Sequence, residues 1–536
     1  MWQKLFFISA SMIVLILSGL TWINPFYGYL FIIVLPLIML GIFDSYSKNN
    51  VLYNYPVLGH IRFLMEFISP ELRQYFIEDD KSGRPYNREQ RDLIKKRAAG
   101  QSGTHPFGTE LDIKDRGFNF VLHAMHVQKV PNHAARFLIG GPQCQQPYSS
   151  SRLNISAMSF GALSSQAVRA MNKGAKLGGF SQDTGEGGLT DYHLEFGADV
   201  VWEIASGYFG CRTKDGRFDE ADFKKKANQA CIKMIAIKLS QGAKPGDGGL
   251  LPGAKVTEEI AKYRQIPQGQ DCQSPANHPE FSTPSGLLHF VARLRKLTFG
   301  KPIGFKLCIG RRDDFLSICK AMLETNILPD FITIDGAEGG TGAAPSEFSD
   351  YVGLSLDEAL PFVHTSLVGC NIRQFIKILV SGKIVDGFDM LQKIALGADG
   401  CNVARPMMFA VGCIQALRCD KGDCPTGVTT QDPRRAKAID VDSKAIHVKN
   451  YHEQTMQSFL QLVGAIGVSH PDDLTPEMIK QQQGHQQISD YRAMYHYLKP
   501  GELLGKTIPK DFAEDWHNAS AHHYYQAASI STKISD

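Results

Sequence analysis

Three cysteines in one short window are the residues of this chain best suited to binding a metal. Cys413, Cys419 and Cys424 are separated by five and then four residues within a polar, turn-like sequence. Thiolates bind soft metals, chiefly zinc and iron–sulfur clusters. No fourth Cys or His follows at a regular short offset, which favours a cluster with one non-thiolate corner over a closed zinc site. The alternative is three small buried side chains, which free cysteines often are.

A second group of polar residues could bind an anionic substrate. Lys238 ends an apolar run, and Gln241 and Lys244 follow it on a Gly-rich loop. Such a cationic, amide-bearing pocket suits a small dicarboxylate or an anion that develops on a cofactor ring. Glu186 lies among glycines, which permit close approach by a ligand. A solvated loop remains the alternative for both the lysines and Glu186.

Glycine-bearing motifs follow several other apolar runs and predict a phosphorylated cofactor. One motif, Ser156 to Ser164, also fits a simple tight turn between a strand and a helix. Lys306 is a charge inside an apolar run, and the Asp335–Ala343 segment exposes several backbone N–H groups. The last two motifs, Val380–Ile384 and Leu396–Pro406, are successive strand ends. In barrels, the loops after the seventh and eighth strands commonly bind phosphate.

Short apolar runs alternate with helical patterns from residue 153 to residue 406, which predicts a parallel sheet with crossover helices. The number of units favours a closed (β/α)8 barrel, a TIM barrel of the α/β class, with its chemistry at the carboxyl ends of the strands. The predicted strands are Leu153–Ala157, Val200–Ile204, Ala236–Leu239, Ile303–Leu307, Phe331–Ile334, Ile376–Val380 and Gly400–Val403. The predicted helices are Ser164–Leu177, Glu220–Met234, Asp314–Asn326 and Gly387–Leu396.

The first 45 residues predict a transmembrane helical hairpin. Leu5–Trp22 and Tyr27–Phe43 carry no charge, and each nearly reaches the length of a spanning helix. A signal peptide is less favoured, because no small-residue cleavage site follows the first run. Tyr53–Ile77 has amphipathic helical spacing, which suits either the membrane surface or packing against the next domain. A helix is expected to begin near Asn87.

Composition excludes some functional classes. The 536 residues have a net charge of +3 and no basic block, so no nucleic-acid partner is expected. Eleven cysteines at irregular spacings do not resemble a disulfide framework and favour a reducing compartment. We therefore predict a cell (inner) membrane location with the catalytic domain on the cytoplasmic side. The predicted domains are a hairpin (1–47), an amphipathic helical or linker region (48–135), the barrel (136–433) and a helical C-terminal extension (434–536).

Several motifs in one order resemble the FMN-binding synthase domain of glutamate synthase, over roughly Arg136 to Pro433. They are SAMSFGALS, DTGEGG, KLSQGAKPGDGGLLPGAKV, ITIDGAEGGTGAAP and GCIQALRCDKGDCPTGVTTQDP. The resemblance implies a barrel with FMN beside a 3Fe-4S cluster. It implies reduction of an imine of 2-oxoglutarate, or of a similar 2-oxo acid, by reduced FMN that the cluster reloads. The cofactor would supply the chemistry, while the protein orients and charges the site.

The resemblance also implies residue roles. Cys413, Cys419 and Cys424 match the cluster ligands, and Glu186, Lys238, Gln241 and Lys244 match residues around the substrate. The residues that match the FMN site are Ala157, Met158, Ser159, Ser240, Lys306, Asp335, Gly339, Gly340, Ser381, Gly382 and Gly400.

The chain departs from full-length glutamate synthase at its start, where Met1-Trp2 and the apolar hairpin replace a glutamine-hydrolysing domain. We therefore expect free ammonia or an ammonia-supplying partner, and an electron donor protein or quinone-linked reductase. Asp247 stands for the family's usual Glu, which leaves the substrate open. A second hypothesis is a flavin and iron–sulfur electron-relay subunit without glutamate-forming activity.

Overall fold

The computed structural model describes residues 2–104, 106–246, 248–484 and 487–525. Asp247 and the last part of the C-terminal extension, residues 526–536, lie outside these ranges. The chain forms two compact units, Met1–Glu89 and Gln90–Asp536.

The second unit is built on a closed barrel of eight parallel strands, β1 to β8, in which each strand pairs with its neighbours in the sequence and β8 pairs with β1. The barrel prediction is therefore confirmed. The strands are β1 (Leu153–Ile155), β2 (Ser181–Asp183), β3 (Asp199–Ile204), β4 (Ile232–Lys238), β5 (Ile303–Leu307), β6 (Phe331–Asp335), β7 (Lys377–Ser381) and β8 (Gly400–Val403).

Several elements differ from the sequence prediction; two helices of 14 residues, Pro284–Leu297 and Leu356–Gly369, were not predicted. Strand β2 was not predicted, because Ser181-Gln182-Asp183 is short and polar although all three residues are buried. The predicted helix Glu220–Met234 ends at Ala227, and Met234 belongs to β4. That strand begins at Ile232 because its apolar side chains face the barrel core, which outweighs the helical pattern of the preceding residues.

Helices cross from the end of each strand to the start of the next. In chain order they are Ser165–Gly178, Asp191–Leu194, Glu220–Ala227, Glu258–Arg264, Pro284–Leu297, Arg312–Thr325, Ser346–Tyr351, Leu356–Gly369, Gly387–Ala395 and Arg405–Val411.

A two-stranded hairpin, Arg136–Ile139 with Tyr148–Ser151, closes the amino end of the barrel. Its Phe137 and Ile139 side chains pack with Phe331 and Leu379 in one buried cluster. The amino end is therefore filled with apolar side chains, which leaves the carboxyl ends of the strands for polar chemistry.

The C-terminal region is helical, as predicted, and belongs to the same unit as the barrel. Its helices are Pro433–Ala436, Val441–Ala465, Tyr491–Met494 and Lys510–Asn518. It also contains two unpredicted strands, because Ile479–Gly484 pairs with both Asn119–Val121 and Gln487–Asp490. The 25-residue helix Val441–Ala465 packs along Ser165–Gly178.

The N-terminal unit contains the two predicted apolar helices. Two segments, Trp2–Ile23 and Pro25–Asp44, are long and apolar enough to cross a membrane by length and composition. They pack closely at Gly41, where a Cβ atom would overlap the ring of Phe6. Two shorter helices, Asn50–Asn54 and Gly59–Leu72, follow, and a π-helical turn, Arg73–Ile77, continues the second. The helix expected near Asn87 is Arg88–Ala98.

A buried ion pair ties the amino end of the barrel together. Asp330 is 1% exposed; one carboxylate oxygen accepts from Gly141 N at 2.8 Å, and the other accepts from Ile303 N at 2.8 Å and Arg295 Nη2 at 3.0 Å.

We predict that Asp330→Ala lowers the free energy of unfolding by about 3–5 kcal/mol, because it leaves a buried guanidinium and two amides without their acceptor. Denaturant unfolding would measure this loss. Glu347→Ala, at an exposed helical position, is the control and should change stability by about 0.5 kcal/mol or less. Equal stability of the two variants would contradict the role given to Asp330.

Candidate active site at the carboxyl ends of the strands

Charged side chains from successive strands meet at the carboxyl end of the barrel. Asp183 ends β2, Glu203 lies on β3, and Lys238 ends β4. Lys306 on β5 is the register partner of Lys238, and Asp335 ends β6. Lys306 forms a buried ion pair with Glu203. Carboxylates therefore lie on both sides of the two lysines around the barrel, and most of these charged groups are buried.

Glu186 pairs with Lys238. The loop after β2 brings Glu186 Oε2 to 2.8 Å from Lys238 Nζ, with the side chains 15% and 7% exposed. Burial by itself would raise the pKa of Glu186, but Lys238 and, to a smaller extent, Arg264 and Lys306 together outweigh it and hold that pKa at about 2. Glu186 is therefore an ionised hydrogen-bond acceptor at neutral pH, and the Lys238 side chain does not point into solvent. Both conclusions favour the ligand-facing interpretation of these residues over the solvated loop.

The pKa of Asp183 shifts in the opposite direction to that of Glu186. Burial, and then the nearby carboxylate of Glu203, raise the pKa of Asp183 to about 8. The barrel end therefore contains one carboxyl group that holds its proton near neutral pH beside one, Glu186, that does not. Pairs of carboxyl groups with such separated pKa values are characteristic of acid–base sites.

Glycines bring the loops of this end into close backbone contact. A Cβ atom on Gly242 would overlap the carbonyl of Gly336, and one on Gly249 would overlap the carboxylate of Glu186. Gly242 N donates to Asp335 Oδ2 at 2.9 Å, while Ser381 Oγ donates to Asp335 Oδ1 at 2.5 Å. The loops after β4, β6 and β7 thereby form one wall lined with backbone groups, against which a flat ligand can lie.

The structure brings most of the other predicted residues to the same end. Ser159, next to Met158 and Ala157 in the turn after β1, accepts through Oγ from Gly187 N at 3.2 Å. Ser240 Oγ accepts from Cys308 N at 2.9 Å. Lys244 is buried, and Gln241 is half-buried on the same loop. Gly339 and Gly340 lie on the loop after β6, and Gly382 directly follows β7.

Gly400 is the exception. It begins β8 rather than ending it, so it lies at the amino end of the barrel, where a Cβ atom would contact the ring of Phe137. The resemblance placed Gly400 in the FMN site as a strand end, although the predicted strand Gly400–Val403, which the structure confirms, begins at that residue. The corresponding carboxyl-end residue is Arg405, whose Nη2 donates to Glu338 O at 3.0 Å and whose guanidinium lies beside Gly340.

Sequence reasoning missed four further site residues: Asp183, Glu203, Arg264 and Arg405. Glu203 carries the signal that identified the two lysines, a charge within an apolar strand. Arg264 is 3% exposed, donates to Phe160 O at 3.4 Å, and lies close enough to Glu186 to help lower its pKa. It ends an ordinary surface-like helix, Glu258–Arg264, so the sequence offers no signal for it.

The cysteine window docks on the turn after β1. Gln431 Nε2 donates to the carbonyls of Gly161 and Leu163, both at 2.9 Å, and Ser164 N donates to Val428 O. Two polar groups contact the sulfur atoms: Gln415 N donates to Cys413 Sγ at 3.4 Å, and the Thr426 hydroxyl and Cys424 Sγ lie 3.6 Å apart, with either able to donate. Burial would raise the pKa of Cys424, but hydrogen bonds from Thr429 and Thr426 lower it below its ordinary value.

A buried lysine connects this window to the barrel. Lys255 Nζ donates to Ala162 O at 3.3 Å, Cys419 O at 3.0 Å and Thr429 O at 3.1 Å. Among the described residues, no group of three or more His, Cys, Asp or Glu side chains converges as a single metal ion would require. In a three-iron cluster each thiolate binds a different iron, so the three sulfurs need not converge on one point.

Paired charges and glycine-rich loops lie together at the carboxyl ends of the strands of this parallel barrel. This is the architecture of a barrel enzyme. Residues 125–469 match the family model described as "conserved region in glutamate synthase". The chain belongs to this glutamate synthase family, which confirms the resemblance, and it is an oxidoreductase of glutamate synthase type. Family membership also supports FMN as its cofactor.

Individual relatives agree with this assignment. The glutamate synthase large subunit-like protein YerD of Bacillus subtilis is 37% identical over 477 residues, covering 81% of this chain and 90% of YerD. The archaeal glutamate synthase [NADPH] of Methanocaldococcus jannaschii is 36% identical and covers 60% of each chain. Among solved structures, a flavocytochrome b2 double mutant with bound pyruvate gives a TM-score of 0.41 at 11% identity, over 80% of this chain and 88% of that one. That likeness is too distant to bear on function.

We predict that Lys238→Met destabilises the protein by about 3–5 kcal/mol at neutral pH, because it leaves the Glu186 carboxylate buried without its partner. A group with a lowered pKa adds stability above its unfolded pKa of about 4 and loses it as pH falls toward about 2. The difference between wild type and variant in urea unfolding should therefore shrink as pH falls from 5 toward about 2.

The double variant Lys238→Met/Glu186→Gln is the matched control. It removes both charges, so it should be more stable at neutral pH than Lys238→Met alone and should lose the pH dependence of that single variant. A double variant that is less stable than Lys238→Met would contradict the pairing.

Proposed function

We propose that this protein binds FMN at the carboxyl end of its barrel and reductively aminates a dicarboxylic 2-oxo acid such as 2-oxoglutarate. In the net reaction, the 2-oxo acid and ammonia lose water to form an imine, which two electrons and two protons convert to the amino acid. The observation that carries the proposal is the buried Glu186–Lys238 pair at the mouth of a barrel of this family.

The substrate residues can bind and orient an anion. Lys238 and Arg264 are cations close to the ionised carboxylate of Glu186. Gln241 and Lys244 follow Lys238 on the loop after β4 and can add an amide and a further cation. The cations suit the two carboxylates of a 2-oxo dicarboxylate. Glu186 can accept hydrogen bonds from N–H groups of ammonia or of the imine nitrogen. Asp183 retains a proton in the same region and is the group best placed to hold one during the reaction.

The residues present fit FMN. Gly242, Gly336 and Gly339 let the loops after β4 and β6 pack backbone against backbone, which leaves main-chain groups rather than side chains there to contact a planar ring. Lys306, which is buried in an ion pair with Glu203, is one of the residues that would hold the cofactor. Gly382 and Arg405 follow the seventh and eighth strands, where barrels hold phosphate. When bound, FMN would supply the hydride equivalent that reduces the imine carbon.

We further propose that Cys413, Cys419 and Cys424 hold a 3Fe-4S cluster that receives electrons from a separate donor protein or a quinone-linked reductase. Three thiols with polar groups in contact with two of the sulfurs form a donor set that suits such a cluster. Relatives in this family carry NADPH in their names, but the chain spans about 60% of their length. The electron donor of this chain is therefore part of the proposal.

The two long apolar helices of the N-terminal unit support anchoring in the cell (inner) membrane. Both ends of a hairpin lie on one side, and the free thiols of the chain favour the cytoplasmic side for the barrel. Ammonia would then come from solution or from a partner that releases it.

We predict that protein reduced with a dye forms glutamate when 2-oxoglutarate and ammonium are added, with reoxidation of the flavin. Lys238→Met and Glu186→Gln should each lower turnover by about 10²–10³-fold, since both remove charge from the reacting centre, while the flavin absorbance is retained. Lys225→Met, at an exposed position of a surface helix, is the control and should keep full activity. Flavin-containing protein that forms no glutamate would favour the electron-relay hypothesis instead.

We also predict that Cys413→Ser, Cys419→Ser and Cys424→Ser each lower the iron and acid-labile sulfide content, because each removes one thiolate of the set. Cys231→Ser, a half-buried cysteine outside the window, should leave both unchanged. Protein that binds zinc at the three cysteines and contains no sulfide would rule out the cluster.

A further inference from the structure

One helix of the N-terminal unit presents an apolar face that none of the unit's described residues covers. Within Gly59–Leu72 and the turn Arg73–Ile77, large apolar residues recur at three- and four-residue intervals. They are Ile61, Leu64, Met65, Ile68, Leu72, Tyr75 and Phe76. Ile61 and Leu64 are each 55% exposed, and Phe76 is 82% exposed. These residues form one stripe along the helix, as expected of an amphipathic helix with a partner.

One side of the helix is polar and charged. Arg62, Glu66, Ser69 and Arg73 project from it, and Arg62 Nε lies 2.8 Å from Glu66 Oε1 in an exposed ion pair. The remaining side carries two further apolar residues, Phe63 and Phe67, so the charged strip is the narrower part of the helix surface. A helix with a charged face and an exposed apolar face of this length is the form that lies in the plane of a membrane surface. Exposed apolar stripes of this extent are uncommon on proteins that meet only water.

Asp44 fixes where this helix begins. It is the last residue of the second long apolar helix, is 1% exposed, and accepts from Val57 N at 2.9 Å. His60 Nε2, in the first turn of the amphipathic helix, lies 2.9 Å and 3.0 Å from the two oxygens of the same carboxylate. The amphipathic helix therefore starts at the level where the apolar hairpin ends.

The first apolar helix reaches the same level. Trp2, at its start, packs against Tyr55 with ring centroids 5.8 Å apart. Apolar side chains of both long helices and residues 55–58 line one cavity there, with Phe6, Val34 and Val57 among them. Both ends of the hairpin are thus joined to the segment that leads into the amphipathic helix. If the hairpin spans a bilayer, this level is the membrane–water boundary.

We infer that the Gly59–Ile77 segment lies in the membrane interface, with its apolar face among the lipid acyl chains and its charged face toward water. The inference rests on the proposed anchoring of the hairpin and adds a second, in-plane contact to it. The occupant of the face is the lipid bilayer, because the hydrogen bonds to Asp44 start the helix at the end of the apolar hairpin. The other possible covers are the second unit of this chain and a second copy of the chain.

Photolabelling of the full chain tests the inference. The protein is reconstituted in vesicles of phosphatidylethanolamine and phosphatidylglycerol that contain a lipid with a diazirine in its acyl chain, and labelled residues are located by mass spectrometry. Labels are expected at Leu64, Met65, Leu72 and Phe76, and none at Arg62, Glu66 or Arg73. Labelling all round the helix, or none on the apolar face, would overturn the inference.

The hairpin residues serve as an internal reference. Labels in Trp2–Ile23 and Pro25–Asp44 without labels on the apolar face would leave the anchoring intact and overturn only the in-plane helix. No label in either would overturn both. Cross-links between the Met65 regions of two chains, with no lipid label, would mean that a second copy covers the face.

Matched variants separate lipid contact from folding. Leu64→Gln/Met65→Gln should lose most of the lipid labelling at Leu72 and Phe76, since it removes the centre of the apolar face. Arg62→Gln/Glu66→Gln changes two residues of the same turn on the charged face and should keep that labelling. Hairpin labelling should stay the same in both, and a Leu64→Gln/Met65→Gln variant that keeps full labelling along the helix would contradict the inference.

Discussion

The barrel end depends on keeping several buried charges neutralised by one another. An isolated buried charge is strongly unfavourable, and a buried pair is tolerated only when its geometry and its other hydrogen bonds are good. Here the lysines of β4 and β5 are register partners, and each takes a carboxylate from a different element, Glu186 from a loop and Glu203 from β3. The loop after β2 must therefore reach across to β4. The electrostatics of the strands decide where that loop lies.

This constraint also explains why glycines concentrate in the loops. A loop that brings a carboxylate to a lysine on another strand must pass close to the loops between them. Gly249 packs directly on the Glu186 carboxylate, and Gly242 packs on the carbonyl of Gly336, at separations that no side chain would permit. Gly185, with φ of 65°, makes the turn that precedes Glu186. The polar pairs and the backbone contacts thus require each other.

Much of the barrel could be predicted from the sequence, because strands that are buried on both faces have continuous apolar sequences. The bounds of Ile303–Leu307 and Gly400–Val403 coincide with the prediction. A charge at the end of such a run, as at Lys238 or Lys306, reveals a ligand-facing position. Strand β2 could not be recognised, since its three polar residues are buried by neighbours distant in sequence, including Asn154. Arg264 could not be recognised for the same reason, because its burial depends on Phe209 and Phe160 from other loops. Gly400 differs from these cases, because the predicted strand bounds already placed it at the amino end of β8 and only the resemblance placed it in the cofactor site.

Lys255 joins the cysteine window to the loop after β4 through hydrogen bonds. Its ammonium is 3% exposed and lies among three carbonyl oxygens, from the turn after β1, from Cys419 and from Thr429. A neutral side chain there would leave those carbonyls without a donor in a buried place, which costs more than the bonds themselves contribute. The loop after β4 thus supplies Lys238, Gln241 and Lys244 at its start and Lys255 at its end. If substrate binding moves that loop, the movement would therefore affect the three cysteines. A change of charge at the cysteines would in turn affect the loop.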